Sequence, residues 1–165
     1  MSDAEKPALR PAGYAHFSKA TFSGNAFFSA KFSRDATFDK ATFSGNAHFS
    51  KATFSGDARF NSTTFSGDAH FNSATFSGHT IFSGVKFYGD AIFADATFSY
   101  KAEFNSATFL GDVSFRSATF SGNAVDFVNA KYGSRTTFEN VHFGNQVPDF
   151  RGATMHEATE WHGAI

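Results

Sequence analysis

The chain has 165 residues and a formal net charge of −1, enough for one domain with a sizeable core and too weak a field of either sign to draw in nucleic acid. It contains no cysteine, which excludes disulfides and thiolate metal sites and fits a reducing, cytoplasmic compartment. Phenylalanine is the anomaly, 25 residues beside one Trp, four Tyr and two Met, and such bias directs attention to internal repeats.

Residues 1–14, MSDAEKPALRPAGY, are polar and carry two prolines, and read as a flexible arm or partial cap. They lack the apolar centre of a secretion signal. Nowhere does an apolar run approach the ~18 residues of a membrane span. From His16 a unit of eleven residues takes over: HFSKATFSGNA at 16–26, a version one residue short at 27–36, then TFDKATFSGNA at 37–47. Seven more units follow without a break from His48 to Ala124. Beyond Ala124 the pattern loosens, with one extra residue before Phe127 and another before Phe150, but the beat continues to Trp161. A single repeat domain over 15–163 follows. The last stretch, MHEATEWHGAI, stops within a coil and has no capping helix, so the expected end is either a piece of something longer or a surface covered by dimerisation.

Phenylalanines spaced five, six, five and six apart drift around a helix and give no face. The Gly, Ser and Thr beside them also disfavour helix. Ala52-Thr53-Phe54 instead reads as a very short strand, with Ala and Phe inward and Thr outward. Ser55-Gly56-Asp57 then reads as a turn, with Gly supplying φ > 0 and Asp bonding its own backbone. A chain that turns every five or six residues with a small residue and a Phe inward winds into an all-β solenoid. Each buried Phe then withdraws on the order of 150–250 Å² from water, roughly 4–6 kcal/mol of gross transfer before chain entropy.

The pentads Ala52-Thr53-Phe54-Ser55-Gly56, Ala58-Arg59-Phe60-Asn61-Ser62 and Thr63-Thr64-Phe65-Ser66-Gly67 resemble the pentapeptide-repeat family. The departure is one residue, usually Asp or Asn, inserted after every second pentad (Asn46, Asp57, Asp68, Asp90, Asp112, Asn123). The resemblance implies a right-handed quadrilateral β-helix, here with about 22 residues per coil. A two-sided coil of eleven is the competing geometry. Residues 22 apart agree better than residues eleven apart: Ser55, Ser77, Ser99 and Ser121 match, whereas Ser44, Ser66, Tyr88 and Leu110 intervene.

With the interior committed to packing, function falls to the outer columns and the ends. Asp68, Asp90 and Asp112 are candidate oxygen ligands for a metal, against the plainer reading of solvated turn residues. His48 and His70 share a column, but Ile92 and Ser114 follow them, so a metal set is not completed. The columns Thr53, Thr75, Thr97, Thr119 and Thr42, Thr64, Thr108 suit either an ice-binding surface or simply the outer face of strands. The leading candidate is a cluster of apolar residues in otherwise polar outward slots, Ile81, Tyr88, Ile92, Tyr100 and Leu110, read as a protein-binding or self-association patch. There is no G-x-S-x-G, phosphate loop or H-E-x-x-H, so no catalytic residue, cofactor or small-molecule substrate is expected. The expected role is a non-enzymatic structural or protein-interaction module, with an unidentified protein partner, no direct nucleic-acid binding and no membrane insertion. By resemblance, the alternatives are a homodimer and a DNA mimic directed at DNA gyrase or topoisomerase, which needs a stronger acidic field than this chain has. An ice- or surface-binding solenoid is the third.

Overall fold

A computed structural model describes residues 13–165; of the expected arm at 1–14, residues 1–12 lie outside the described residues. The strands are two residues long and all pair in parallel. The chain visits four sheets in turn, named here faces A to D. Face A runs from Ala15–His16 to Val125–Asp126, face B from Thr21–Phe22 to Lys131–Tyr132, and face D from Lys31–Phe32 to Thr119–Phe120. Face C has seven strands: Ala26–Phe27, Ala47–His48, Ala69–His70, Ala91–Ile92, Val113–Ser114, Thr136–Thr137 and Thr159–Glu160.

The register identifies the coil. Ala69 pairs with Ala47 on one side and Ala91 on the other, and Phe76 pairs with Phe54 and Phe98. Partners are 22 residues apart, so the chain is a four-sheet solenoid and not a two-sided coil of eleven. Where the sequence loses a residue, at 27–36, the pairing tightens to Ala26 with Ala47. Where it gains one, pairing widens to Ala102 with Val125 and Thr136 with Thr159. Every such change falls in a corner. The strands keep their alternation, because a slip of one residue within a strand would turn its Phe outward. Hydrogen bonding continues to Ile165, whose N–H donates to Val141 O at 2.9 Å.

The interior is a set of aromatic columns. Phe60 lies parallel to Phe38 and to Phe82, at 4.8 Å from each, the spacing of neighbouring strands. Its edge meets Phe49 at 5.4 Å and 87°. Stacked contacts therefore run along the axis and edge-to-face contacts across it, the two geometries that aromatic quadrupoles favour. Alanines fill the space beside the rings, and Ala52, Ala74 and Ala96 are fully buried.

Tyr132 continues the column of Phe87 and Phe109, stacking on Phe109 at 5.0 Å. Its hydroxyl is buried with no partner, and burial pushes its pKa up. Replacing it with Phe is expected to raise stability by about 1–3 kcal/mol, the cost of an unsatisfied buried hydroxyl. A denaturation midpoint for Tyr132→Phe at or below that of the parent would refute this.

The corners correct one expectation. The glycines of Ser-Gly-Asp do not occupy left-handed backbone. At Gly78 a Cβ would lie 2.4 Å from Gly56 O in the coil beneath, so glycine serves close approach between coils. Left-handed backbone recurs in the other two corners, mostly at residues other than glycine; outside them, among the described residues, it is adopted by Gly13 and Gly144. Lys40, Lys51, Ser62, Ser73 and Asp95 have φ between 54° and 59°. In each, the next N–H closes a turn onto the preceding Phe, as Ala41 N does onto Phe38 O at 2.9 Å. The combination of that hydrogen bond with φ > 0 at the third residue is the mark of a type II turn.

The inserted acid has a second correction. Its side chain bonds the coil above and not its own backbone. Asp68 Oδ1 accepts from Asp90 N at 3.0 Å, and Asp90 Oδ1 from Asp112 N at 2.9 Å. Asn46 does the same for Asp68. The residue thus supplies an acceptor for a corner N–H that the strand ladders leave open.

Candidate interaction surface

The four faces carry different outward columns. Faces B and D present mainly threonine: Thr75 stacks between Thr53 and Thr97, and Thr64 between Thr42 and Lys86. Face A presents charge toward its end, where Glu103 pairs with Asp126, and Asp126 with Asp149. Glu103 and Asp149 are already engaged by bases, whereas Asp126 accepts from the Val128 backbone N–H at 2.8 Å. Glu103 holds the Lys101 ammonium, with His79 Nε2 3.1 Å away. Burial works against ionisation of Glu103, but the Lys101 hydrogen bond holds its carboxyl below the usual range. The same bond raises Lys101. Asp149 takes a bidentate contact from Arg151, with its shortest distance 2.6 Å.

The five apolar residues singled out from the sequence divide into two groups. Tyr88 and Leu110 are half exposed and stack as coil neighbours at the corner between faces B and C, next to the paired strands carrying Phe87 and Phe109. Ile92 points out from face C, between His70 and Ser114. Ile81 lies on face A between Arg59 and Glu103, and Tyr100 at the corner leading into that face. Because the chain visits A, B, C and D in turn, faces A and C are opposite. Only Tyr88, Ile92 and Leu110 share a side.

That side also holds a residue that the sequence reading passed over. Phe27 is 73% exposed and stacks on His48 at 4.7 Å and 5°, which stacks on His70 at 4.8 Å and 3°. The outward column of face C therefore begins Phe27, His48, His70, Ile92. The signal was available: Phe27 and Phe28 are adjacent, and neighbours in a strand point opposite ways. Further along, Ser114 and Thr137 are short, and face C sinks into an open groove of about 340 Å³. Its sides are Asp112 with Arg135 (3.0 Å) and Arg116 with Glu139 (3.4 Å). A hydrogen bond from Ser134, then Arg135, holds Asp112 below the usual carboxylate range.

As a metal ladder, Asp68, Asp90 and Asp112 each commit an oxygen along the column. Among the described residues no three His, Asp or Glu side chains converge as a ligand set, and no helix is long and apolar enough to cross a membrane.

A family model described as pentapeptide repeats (9 copies) matches residues 12–52, 38–86, 60–100, 82–130 and 104–165, overlapping windows that span the described chain. No curated protein matches the sequence.

Proposed function

The chain belongs to the pentapeptide-repeat family, and from that premise we propose that it is a non-enzymatic scaffold that binds protein through face C and the corner beside it. The observation that carries this reading is the gathering of exposed Phe27, Tyr88 and Leu110 with Ile92 on one side of a rod whose other faces are mainly threonine or charge, with Ile81 and Tyr100 on the opposite side. Contiguous exposed apolar surface is costly to leave in water and marks contact sites. The rigid stack of coils holds that surface flat and fixed, so little order is lost on binding. Its cysteine-free composition suits a reducing, cytoplasmic setting.

A duplex mimic would need an uninterrupted acidic field. The acid columns on the described surface are short, and Lys101, Arg135 and Arg151 sit against them.

The test is affinity capture on immobilised parent and on the Tyr88→Ser, Leu110→Ser double variant. Both changes are at exposed positions, so the fold is expected to survive. Proteins retained by the parent are expected to be lost by the variant. An identical retained set would sink the assignment of this side.

A further inference from the structure

We propose that face C binds face C of a second copy of this chain, the two solenoids running antiparallel about a two-fold axis through Ile92. The proposal rests on the scaffold reading and names an occupant for that side.

Face C is asymmetric along its length in a way that complements itself. Its outward column has seven rungs: Phe27, His48, His70, Ile92, Ser114, Thr137 and Glu160. Ile92 is the fourth, at the centre. On one side of it stand rings, and on the other lies the groove over Ser114 and Thr137. An antiparallel two-fold sets His70 over Ser114 of the copy and His48 over Thr137, so raised rings enter the hollow in both halves at once. Such an interface is isologous and closed, which limits assembly to a dimer.

Charge supports the same direction. Lys51 follows the His48 rung at the corner leading to face D, and there it comes opposite Glu139 of the copy. His48 approaches the same carboxylate, and Phe27 lies along the stem of Glu160. The opposing contributions are Asp95, which the two-fold sets against itself at this same edge, and those of the other edge, where Asp68 meets Asp112 of the copy and Asp90 meets itself. There Asp68 and Asp90 each direct an oxygen along the column to the next backbone N–H, and Arg135 neutralises Asp112. A parallel pairing would set rings against rings and leave both grooves empty.

Seven rungs span about 30 Å at the strand spacing. A strip of that length is at the small end of specific interfaces, so a dissociation constant on the order of 10 µM is expected.

Because the chain has no cysteine, single cysteines report the geometry directly. Sedimentation to about 100 µM is combined with a short bismaleimide on Ile92→Cys, on Ile81→Cys from the opposite face, and on an equimolar mixture of His70→Cys and Ser114→Cys. Expected are a concentration-dependent dimer, efficient linkage at Ile92→Cys, linkage in the mixture above that of either variant alone, and none at Ile81→Cys. Ser114→Arg fills the groove from an outward-facing, partly buried strand position and is expected to weaken the dimer at least tenfold. A monomer throughout, equal linkage at Ile81→Cys and Ile92→Cys, or a dimer indifferent to Ser114→Arg overturns the proposal. If the chain is monomeric but Tyr88→Ser, Leu110→Ser still loses captured proteins, self-pairing fails and the scaffold reading stands. If it dimerises as described and captures nothing, self-pairing stands and binding of other proteins fails.

Discussion

Replacing Phe71 with alanine is expected to remove about 3–5 kcal/mol of stability, the range for truncating a fully buried aromatic. Phe71 is inaccessible to solvent. It lies flat against Phe49 at 4.8 Å and Phe93 at 5.0 Å, and meets Phe60 at 5.5 Å and Phe82 at 5.2 Å edge-to-face. With Phe65 at 6.0 Å and Phe76 at 6.3 Å, six rings lose a neighbour at once, and the coils above and below cannot close on the gap because their own backbone ladders hold them apart. The consequence also differs from that in a globular core. In a solenoid each coil is coupled only to its neighbours, so a cavity in the middle weakens the link between two halves. Hydrogen exchange should then show faster opening on both sides of Phe71, with the ends less affected. Phe27→Ala serves as the control of the same residue type. Phe27 stands outside the core with a single stacked neighbour, and its loss should cost under about 1 kcal/mol. Comparable denaturation midpoints for the two variants would mean that the Phe columns are not the main source of stability.

The contrast between Phe71 and Phe27 also marks how far the sequence could be read. Phe at a five-then-six beat has one economical explanation, a chain turning a corner after each inward ring. The 22-residue coil, the Ala beside each Phe and the outward Thr columns all follow from that pattern and are present. Corner chemistry was less legible. Glycine in Ser-Gly-Asp has two physical uses, freedom of φ and absence of Cβ, and the letters do not say which applies. The coil beneath decides, through the carbonyl of Gly56 under Gly78. Likewise an Asp after Gly can bond its own turn or its neighbour's, and only stacking brings the next N–H within 3.0 Å of Asp68. The candidate surface was half visible. Tyr88, Ile92 and Leu110 were found because they break a polar pattern. Phe27 was hidden because it matches the commonest residue in the chain, although it stands in the outward first position that His48 and His70 occupy in their units. The groove depends on the relative height of side chains 22 and 23 residues apart, a property of the assembled face.

One alanine inserted between Thr97 and Phe98 is expected to be far more damaging than one inserted between Asn123 and Ala124. Phe98 is fully buried and stacks on Phe76 at 4.8 Å and Phe120 at 4.7 Å. The strand containing it has only two residues, Thr97–Phe98, so an insertion there has no slack to absorb it. Either Phe98 turns outward, forfeiting roughly 4–6 kcal/mol of burial, or the following corner must be rebuilt against its neighbours. The second site lies in a corner that is already one residue longer than the corner beneath it, as the pairing of Ala102 with Val125 records. The corner above carries an equal excess, with Val147 almost wholly exposed. Lengthening an exposed loop by one residue costs under about 1 kcal/mol in closure entropy. Denaturant midpoints for the two insertions should therefore differ by several kcal/mol, with exchange protection lost around Phe76, Phe98 and Phe120 in the first variant and retained in the second. Equal destabilisation would mean that corner length, and not strand parity, sets the register. It would also leave the 21-, 22- and 23-residue coils of this one chain without a physical account, since their strands stay in step only if corners are the place where length is free to vary.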